Sequence, residues 1–273
     1  MYAQASLATV TWLALNLVAA TADTQCEAST SKLLKVETTN GLIEGHLADD
    51  APCVVEYLGI PYAKPPVGDL RFTSPQPYEG HQIYEAKSFG YDCPHSTFPY
   101  IDYPGFFDDA NRIIDYFAAS ANTTQSEDCL TLNIWSKATS RSNLAQKPVL
   151  VFFYGGNFTF GNTNTPFFYG VNFANAEDLV VVTVNYRTNI FGFPGADGLD
   201  TNLGMRDQRL AVEWVRDNIA AFGGDHSKIA ISGQSAGGVS VDYWTYAYRD
   251  DPIISAATTH PGYVYRLPLP DPS

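Results

Sequence analysis

The hydrophobic pattern of this chain changes character along its length. Residues 33–46 show two short β-like runs on either side of Asn40-Gly41, the dipeptide that best suits a two-residue hairpin turn. A further strand is predicted from Cys53 to Leu58. The proline-rich segment Gly59–Phe72 comes next, and its apolar residues need burial, so it reads as an ordered loop. Periodicity is weak over 73–128, which predicts long surface excursions with at most a short helix near Asp109–Ser120. From residue 129 the runs become longer and more apolar. Leu130–Trp135, Val149–Tyr154, Leu179–Val184 and Lys228–Ile231 predict strands, the second of them ending in Gly155-Gly156. Between the last two lies a helical pattern, Asn202–Phe222, that places Leu210, Trp214, Val215, Ile219 and Phe222 on one side. Strands alternating with helices predict an α/β fold with a mainly parallel sheet, and the opening hairpin fits a mixed edge of that sheet.

The most informative stretch is the last strand with the turn at its end. Lys228–Ile231 runs into Gly233-Gln234-Ser235-Ala236-Gly237, and small residues then open a helix. A serine on such a strand-to-helix elbow is exposed at a helix N-terminus, where it can serve as an acyl-accepting nucleophile if a base lies beside it. The alternative is a tight turn with an ordinary capping serine. The glycine-rich turn after Tyr154 adds a second element. Acyl transfer builds negative charge on a carbonyl oxygen, and backbone N–H groups at Gly155-Gly156-Asn157 together with that of Ala236 form a candidate oxyanion hole.

Composition narrows the class. The chain has 273 residues, 45% of them apolar and 14% aromatic, enough for a substantial core in one large domain or two small ones. A formal net charge of −13 argues against nucleic acid or anionic membrane surfaces as partners. Residues 1–22 read as a secretory signal, with Ala20-Thr21-Ala22 as the cleavage site, and no other segment is apolar enough for a membrane span. Secretion fits the cysteines. Cys26, Cys53, Cys93 and Cys129 form an even set with no C-x-x-C, which favours disulfides over metal or redox sites. Three pairings are possible; sequence-local pairing would give Cys26–Cys53 and Cys93–Cys129. No metal and no cofactor are expected. Asn122-Thr-Thr is a glycosylation sequon in a polar stretch. Asn157-Phe-Thr is formally a second, expected to be buried in the oxyanion turn and therefore unglycosylated.

Five motifs stand in order along the chain: Tyr57–Phe72, Ser126–Asn133, Asn185-Tyr186-Arg187, Asn202–Gln208 and Phe222–Gly238. In this the sequence resembles the type-B carboxylesterase/lipase family of the α/β-hydrolase fold, which includes cholinesterases and fungal lipases. The resemblance implies Ser235 as nucleophile, with Gly156, Asn157 and Ala236 donating to the oxyanion. It implies the Cys93–Cys129 disulfide and the ion pairs Arg71–Glu127 and Arg187–Asp207. Relatives usually carry glycine where Asn157 stands, so the asparagine side chain would narrow the acyl pocket. Gln234 replaces a glutamate common in cholinesterases, which argues against a choline ester. A small-molecule or lipid ester is the implied substrate.

In that family the triad acid and histidine lie far downstream of the serine, and only 38 residues come after Ser235 here. His260 sits in a segment resembling the strand after the elbow helix, not the segment that supplies the base. Asp242, Asp250, Asp251 and Asp271 come too early for the acid. Residues 23–273 therefore read as an N-terminal part of the domain, without its later strands, closed by an atypical proline-rich tail at 250–273. Three readings are open: an extracellular serine esterase, a non-catalytic binding member of the fold, and an inactive truncated product. If the leader is processed as read, N-terminal sequencing of the exported chain is expected to begin at Asp23.

Overall fold

The computed structural model describes residues 33–80, 82–96, 105, 109–110, 113, 123–138 and 147–260. Strand β1 (Lys35–Thr38) turns at Asn40 into β2 (Gly41–Glu44), as Asn-Gly predicts, with Gly41 at φ +96°. This hairpin is not the edge of the central sheet. It forms a separate three-stranded sheet with β5 (Tyr84–Glu85), which pairs parallel to β2. The turn itself explains the departure. The Thr39 N–H donates to Asn218 Oδ1 at 2.7 Å and the Trp214 indole donates to Asn40 Oδ1 at 3.1 Å, so the hairpin tip is docked on a helix.

The central sheet takes its edge from β3 (His46–Ala48), antiparallel to the long β4 (Ala51–Pro61). It continues through β6 (Thr131–Lys137), β7 (Lys147–Phe153), β8 (Val180–Val184), β9 (Gly224–Gln234) and β10 (Ala256–His260). The seven strands lie in the order β10-β9-β7-β8-β6-β4-β3. Strands β10, β9, β7, β8 and β4 run one way, β6 and β3 the other. The mainly parallel sheet expected from the apolar runs is present. β8, Val-Val-Val-Thr-Val, is buried at every position, as a strand covered on both faces must be.

Alternation along the strands divides the core in two. Val180, Val182, Ile134 and Tyr57 pack on one face with Val212, Val215, Val241 and Trp244. These come from helices α3 (Leu203–Asn218) and α4 (Ala236–Ala247). Val181, Trp135, Val54 and Leu58 pack on the other face with Val171 and Ala174 of α1 (Val171–Glu177). Helix α1 and the short α2 (Asn189–Gly192) carry too few apolar residues for periodicity to reveal them. The predicted helix 202–222 ends as α-helix at Asn218 and continues as a tighter 3-10 turn to Phe222. The short helix expected near 109–120 falls largely outside the described residues, as do the leader, Cys26, Asn122 and the tail after His260. Among the described residues no helix is long and apolar enough to cross a membrane.

Both expected ion pairs form. Arg71 Nη2 donates to Glu127 Oε1 at 2.8 Å on a half-exposed surface. Arg187 and Asp207 are buried, joined by Nε–Oδ2 at 2.8 Å and Nη2–Oδ1 at 2.7 Å. Arg187 Nη1 also reaches the carbonyls of Arg71 and Thr73, at 3.0 and 3.1 Å. One guanidinium thus pins the end of β8, the first turns of α3 and the proline-rich loop together. Burial on that scale stabilises only while every group is satisfied. Asp207→Ala is therefore expected to cost about 3–5 kcal/mol, by stranding a buried guanidinium. The readout is a lower urea midpoint at unchanged m value. Removing the exposed partner of Arg216, by Asp217→Ala, is expected to move stability by less than about 0.5 kcal/mol.

Candidate active site

Strand β9 ends at Gln234, and helix α4 starts at Ala236. Ser235 joins them at φ +53°, ψ −117°, a backbone state that costs a residue with a β-carbon about 1–3 kcal/mol. The geometry is imposed by close backbone approach. A methyl on Gly233 would lie 2.2 Å from the Gly237 carbonyl, and one on Gly237 would lie 2.1 Å from the Phe153 carbonyl oxygen. Only glycine fits at either position. The Ser235 side chain makes no capping bond to helix α4, and its hydroxyl has no hydrogen-bond partner among the described residues. The ordinary capping role therefore does not account for this serine. Its residue is half-buried.

The turn after β7 lies against this elbow. A methyl on Gly155 would stand 2.9 Å from Ser235 Cβ and 2.6 Å from the Gln234 carbonyl. Gly156, Asn157 and Phe158 then take φ values of +115°, +55° and +58°. A β-carbon at Gly156 would meet the Phe160 carbonyl at 2.2 Å, while asparagine is among the few residues that tolerate the next position. The Gly156 carbonyl accepts from the N–H groups of Thr159 and Phe160, which closes the turn. The N–H groups of Gly156, Asn157 and Ala236 have no acceptor among the described residues. Three unspent donors are thus carried by two backbone segments in contact. Asn157 is exposed, which corrects the expectation that the turn buries it. Its left-handed conformation sets it at the tip of the turn, where the described residues leave it uncovered.

Side-chain contacts that sequence reasoning did not foresee hold the turn in place. Tyr154 and Tyr186 stack with ring centres 4.3 Å apart, and each hydroxyl donates to the other's carbonyl, at 2.7 and 2.6 Å. Burial pushes both phenols up, so both remain donors. Asn189, at φ +46°, donates its N–H to the Phe158 carbonyl and its side-chain amide to the Pro94 carbonyl, both at 2.6 Å. That carbonyl adjoins the Cys93–Cys129 disulfide, which forms as expected with S–S 2.04 Å. Beyond the turn, the buried Asp92 carboxylate accepts from Asn162 at 2.7 Å, from Asn164 at 2.6 Å and from Thr123. Tyr186 lies in the Asn185-Tyr186-Arg187 motif and the disulfide was implied by the family resemblance, but no local pattern signalled the contacts that join them to the turn.

His260 ends β10 in register with Gln234, the neighbour of Ser235, and is exposed. No histidine or carboxylate among the described residues hydrogen-bonds Ser235. Nor do the described residues gather three or more His, Cys, Asp or Glu side chains in a metal-holding group. At the start of β9, Asp225 accepts from Lys228 and Ser227, which hold its carboxyl well below the usual range.

A doubly covered, mainly parallel sheet with a serine on a glycine-locked elbow at a strand's C-terminal end defines an α/β-hydrolase. The Carboxylesterase family model matches residues 32–260, and the chain belongs to that family. It is 38% identical to chlorogenic acid esterase of Aspergillus niger over 92% of this chain and 47% of that protein. Against lipase 1 of Geotrichum candidum it is 37% identical, covering 87% of this chain and 43% of the relative. Against acetylcholinesterase of Electrophorus electricus it is also 37% identical, over 78% and 33%. The solved structure of a thermophilic PNB esterase superposes with TM-score 0.71 at 32% identity, covering 84% of this chain and 44% of that one. The chain thus spans less than half the length of these relatives. The elbow itself gives a sharp test of packing. Gly237→Ala is expected to cost about 3 kcal/mol by forcing α4 away from β7, read as a fall in thermal midpoint.

Proposed function

We propose that this chain carries the nucleophile and oxyanion hole of a secreted serine carboxylic-ester hydrolase. The observation that supports this most is Ser235, held at a strained backbone angle with its hydroxyl uncommitted and the turn Gly155–Asn157 packed against it. In this reading Ser235 Oγ attacks the ester carbonyl carbon. The carbonyl electrons move onto oxygen, where the N–H groups of Gly156, Asn157 and Ala236 stabilise the charge. Collapse of the tetrahedral species expels the alcohol and leaves an acyl group on Ser235. Water then attacks the acyl carbon and frees the acid. Removing one such donor commonly lowers kcat by about a hundredfold or more, so the unspent N–H groups carry a substantial share of the reading.

The serine needs a proton acceptor, and in family members the acid and histidine lie far downstream. The substrate is a small-molecule or lipid ester, with Asn157 beside the acyl group. The absence of any histidine or carboxylate partner of Ser235 among the described residues favours a second reading for this polypeptide alone, a folded but inactive chain.

A fluorophosphonate probe separates the two. The esterase reading expects the secreted, folded chain to label stoichiometrically at Ser235 and Ser235→Ala to abolish labelling. Folded chain that stays unlabelled sinks the esterase reading for this polypeptide and supports the inactive one.

A further inference from the structure

Several strands along the sheet from β9, described residues line a half-open cavity of roughly 600 Å3, with Asp128 and Tyr91 exposed at its mouth. It lies where the end of β4, the start of β6 and the segment after β5 converge. Its walls are Tyr78, Tyr84, Phe89, Tyr91 and Pro65, and Asp128 is its one carboxylate. In sheet order β7 and β8 stand between β9 and β6, so the cavity is about 15 Å or more from the elbow at the usual strand spacing. It is not the Ser235 site.

Two features make this cavity more than a surface dent. First, its walls are fixed. The Tyr84 hydroxyl donates to the Gly59 carbonyl at 2.7 Å, Phe89 packs against Trp135, and the Tyr91 carbonyl accepts from the buried Asn185 at 3.0 Å. Second, its charge is uncompensated. Glu127 is taken by Arg71, but the carboxylate of the adjacent Asp128 has no ion pair or hydrogen bond among the described residues. Only the Asp128 backbone is engaged, through the Ser126 hydroxyl at 3.1 Å. Partial burial raises the Asp128 carboxyl, and the Tyr84 phenol is raised by burial and then by Tyr78 and Asp128, which places the three groups together.

Aromatic walls around one unpaired carboxylate select for an ion that is positive and weakly hydrated. Ring faces attract a cation, most strongly where water is excluded. A hard metal ion would need several further oxygen ligands. The volume is in the range that holds a small organic molecule. We propose that this cavity binds an organic ammonium group, with Asp128 as counter-charge and Tyr78, Tyr84, Phe89 and Tyr91 as its walls.

Calorimetric titration of the full chain with tetramethylammonium chloride, at constant ionic strength, tests this. The expected result is saturable millimolar binding that Asp128→Asn weakens about tenfold and Asp128→Glu partly restores. Tyr91→Leu, which keeps the backbone bond to Asn185, is expected to weaken it as well. The neutral isostere neopentyl alcohol is expected to bind at least about tenfold more weakly than the cation. No saturation, equal affinity for the isostere, or full affinity in Asp128→Asn would overturn the proposal. So would protection of Ser235 from the fluorophosphonate by tetramethylammonium in the Asp128→Asn chain, which would place the cation at the elbow. The titration does not depend on serine chemistry, so it stands or falls separately from the esterase reading.

Discussion

Everything around Ser235 depends on backbone meeting backbone. Gly237 in the first turn of α4 sits where any side chain would strike the Phe153 carbonyl, and Gly233 sits where any side chain would strike Gly237. That contact brings the elbow helix down onto the ends of β7 and β9. It also forces Ser235 into its strained conformation, because no relaxed residue could turn the chain in that space. The strain persists because the surrounding sheet over-determines it. Strand β9 is parallel to both β7 and β10, so its end cannot shift to relieve the serine.

The turn beside the elbow is built in the same spirit, with side chains in place of glycines. Stacked and cross-bonded Tyr154 and Tyr186 tie the ends of β7 and β8 beneath it. Asn189 ties it sideways to the disulfide segment, and the amides around Asp92 hold the chain that leaves it. A buried carboxylate and several buried amides are tolerable only because nearly all their valences are met by one another. Such rigidity is what the proposed oxyanion role of the nearby N–H groups requires. N–H groups stabilise a developing oxyanion only if they are already aimed before the reaction begins.

The ion pairs serve a longer range. Arg187 reaches Asp207 in α3 and two carbonyls of the loop after β4, bridging segments more than a hundred residues apart in the chain. Arg71 in that same loop holds Glu127, the residue next to Asp128. The loop is thus clamped from both sides, and the clamp leaves one carboxylate of the neighbouring pair unpaired at an aromatic cavity.

The sequence by itself determined the longer strands, the helix near 202–222, the elbow and the glycine turn, whereas the two ion pairs and the Cys93–Cys129 bridge followed only from the family resemblance. Each of the former is a local pattern or an ordered motif: apolar runs such as Val180–Val184, or Gly-x-Ser-x-Gly directly after a strand. Tertiary structure alone decided the rest. Asn-Gly specifies a hairpin but not its partners, and contacts from Trp214 and Asn218 carry the hairpin into its own sheet. The exposure of Asn157 depends on what covers a turn, which no local pattern encodes. The Tyr154–Tyr186 lock, the reach of Asn189 and the aromatic cavity beside Asp128 all join residues distant in sequence. Their meeting is set by strand order and by the close approach of backbone segments, and those exist only once the sheet has formed.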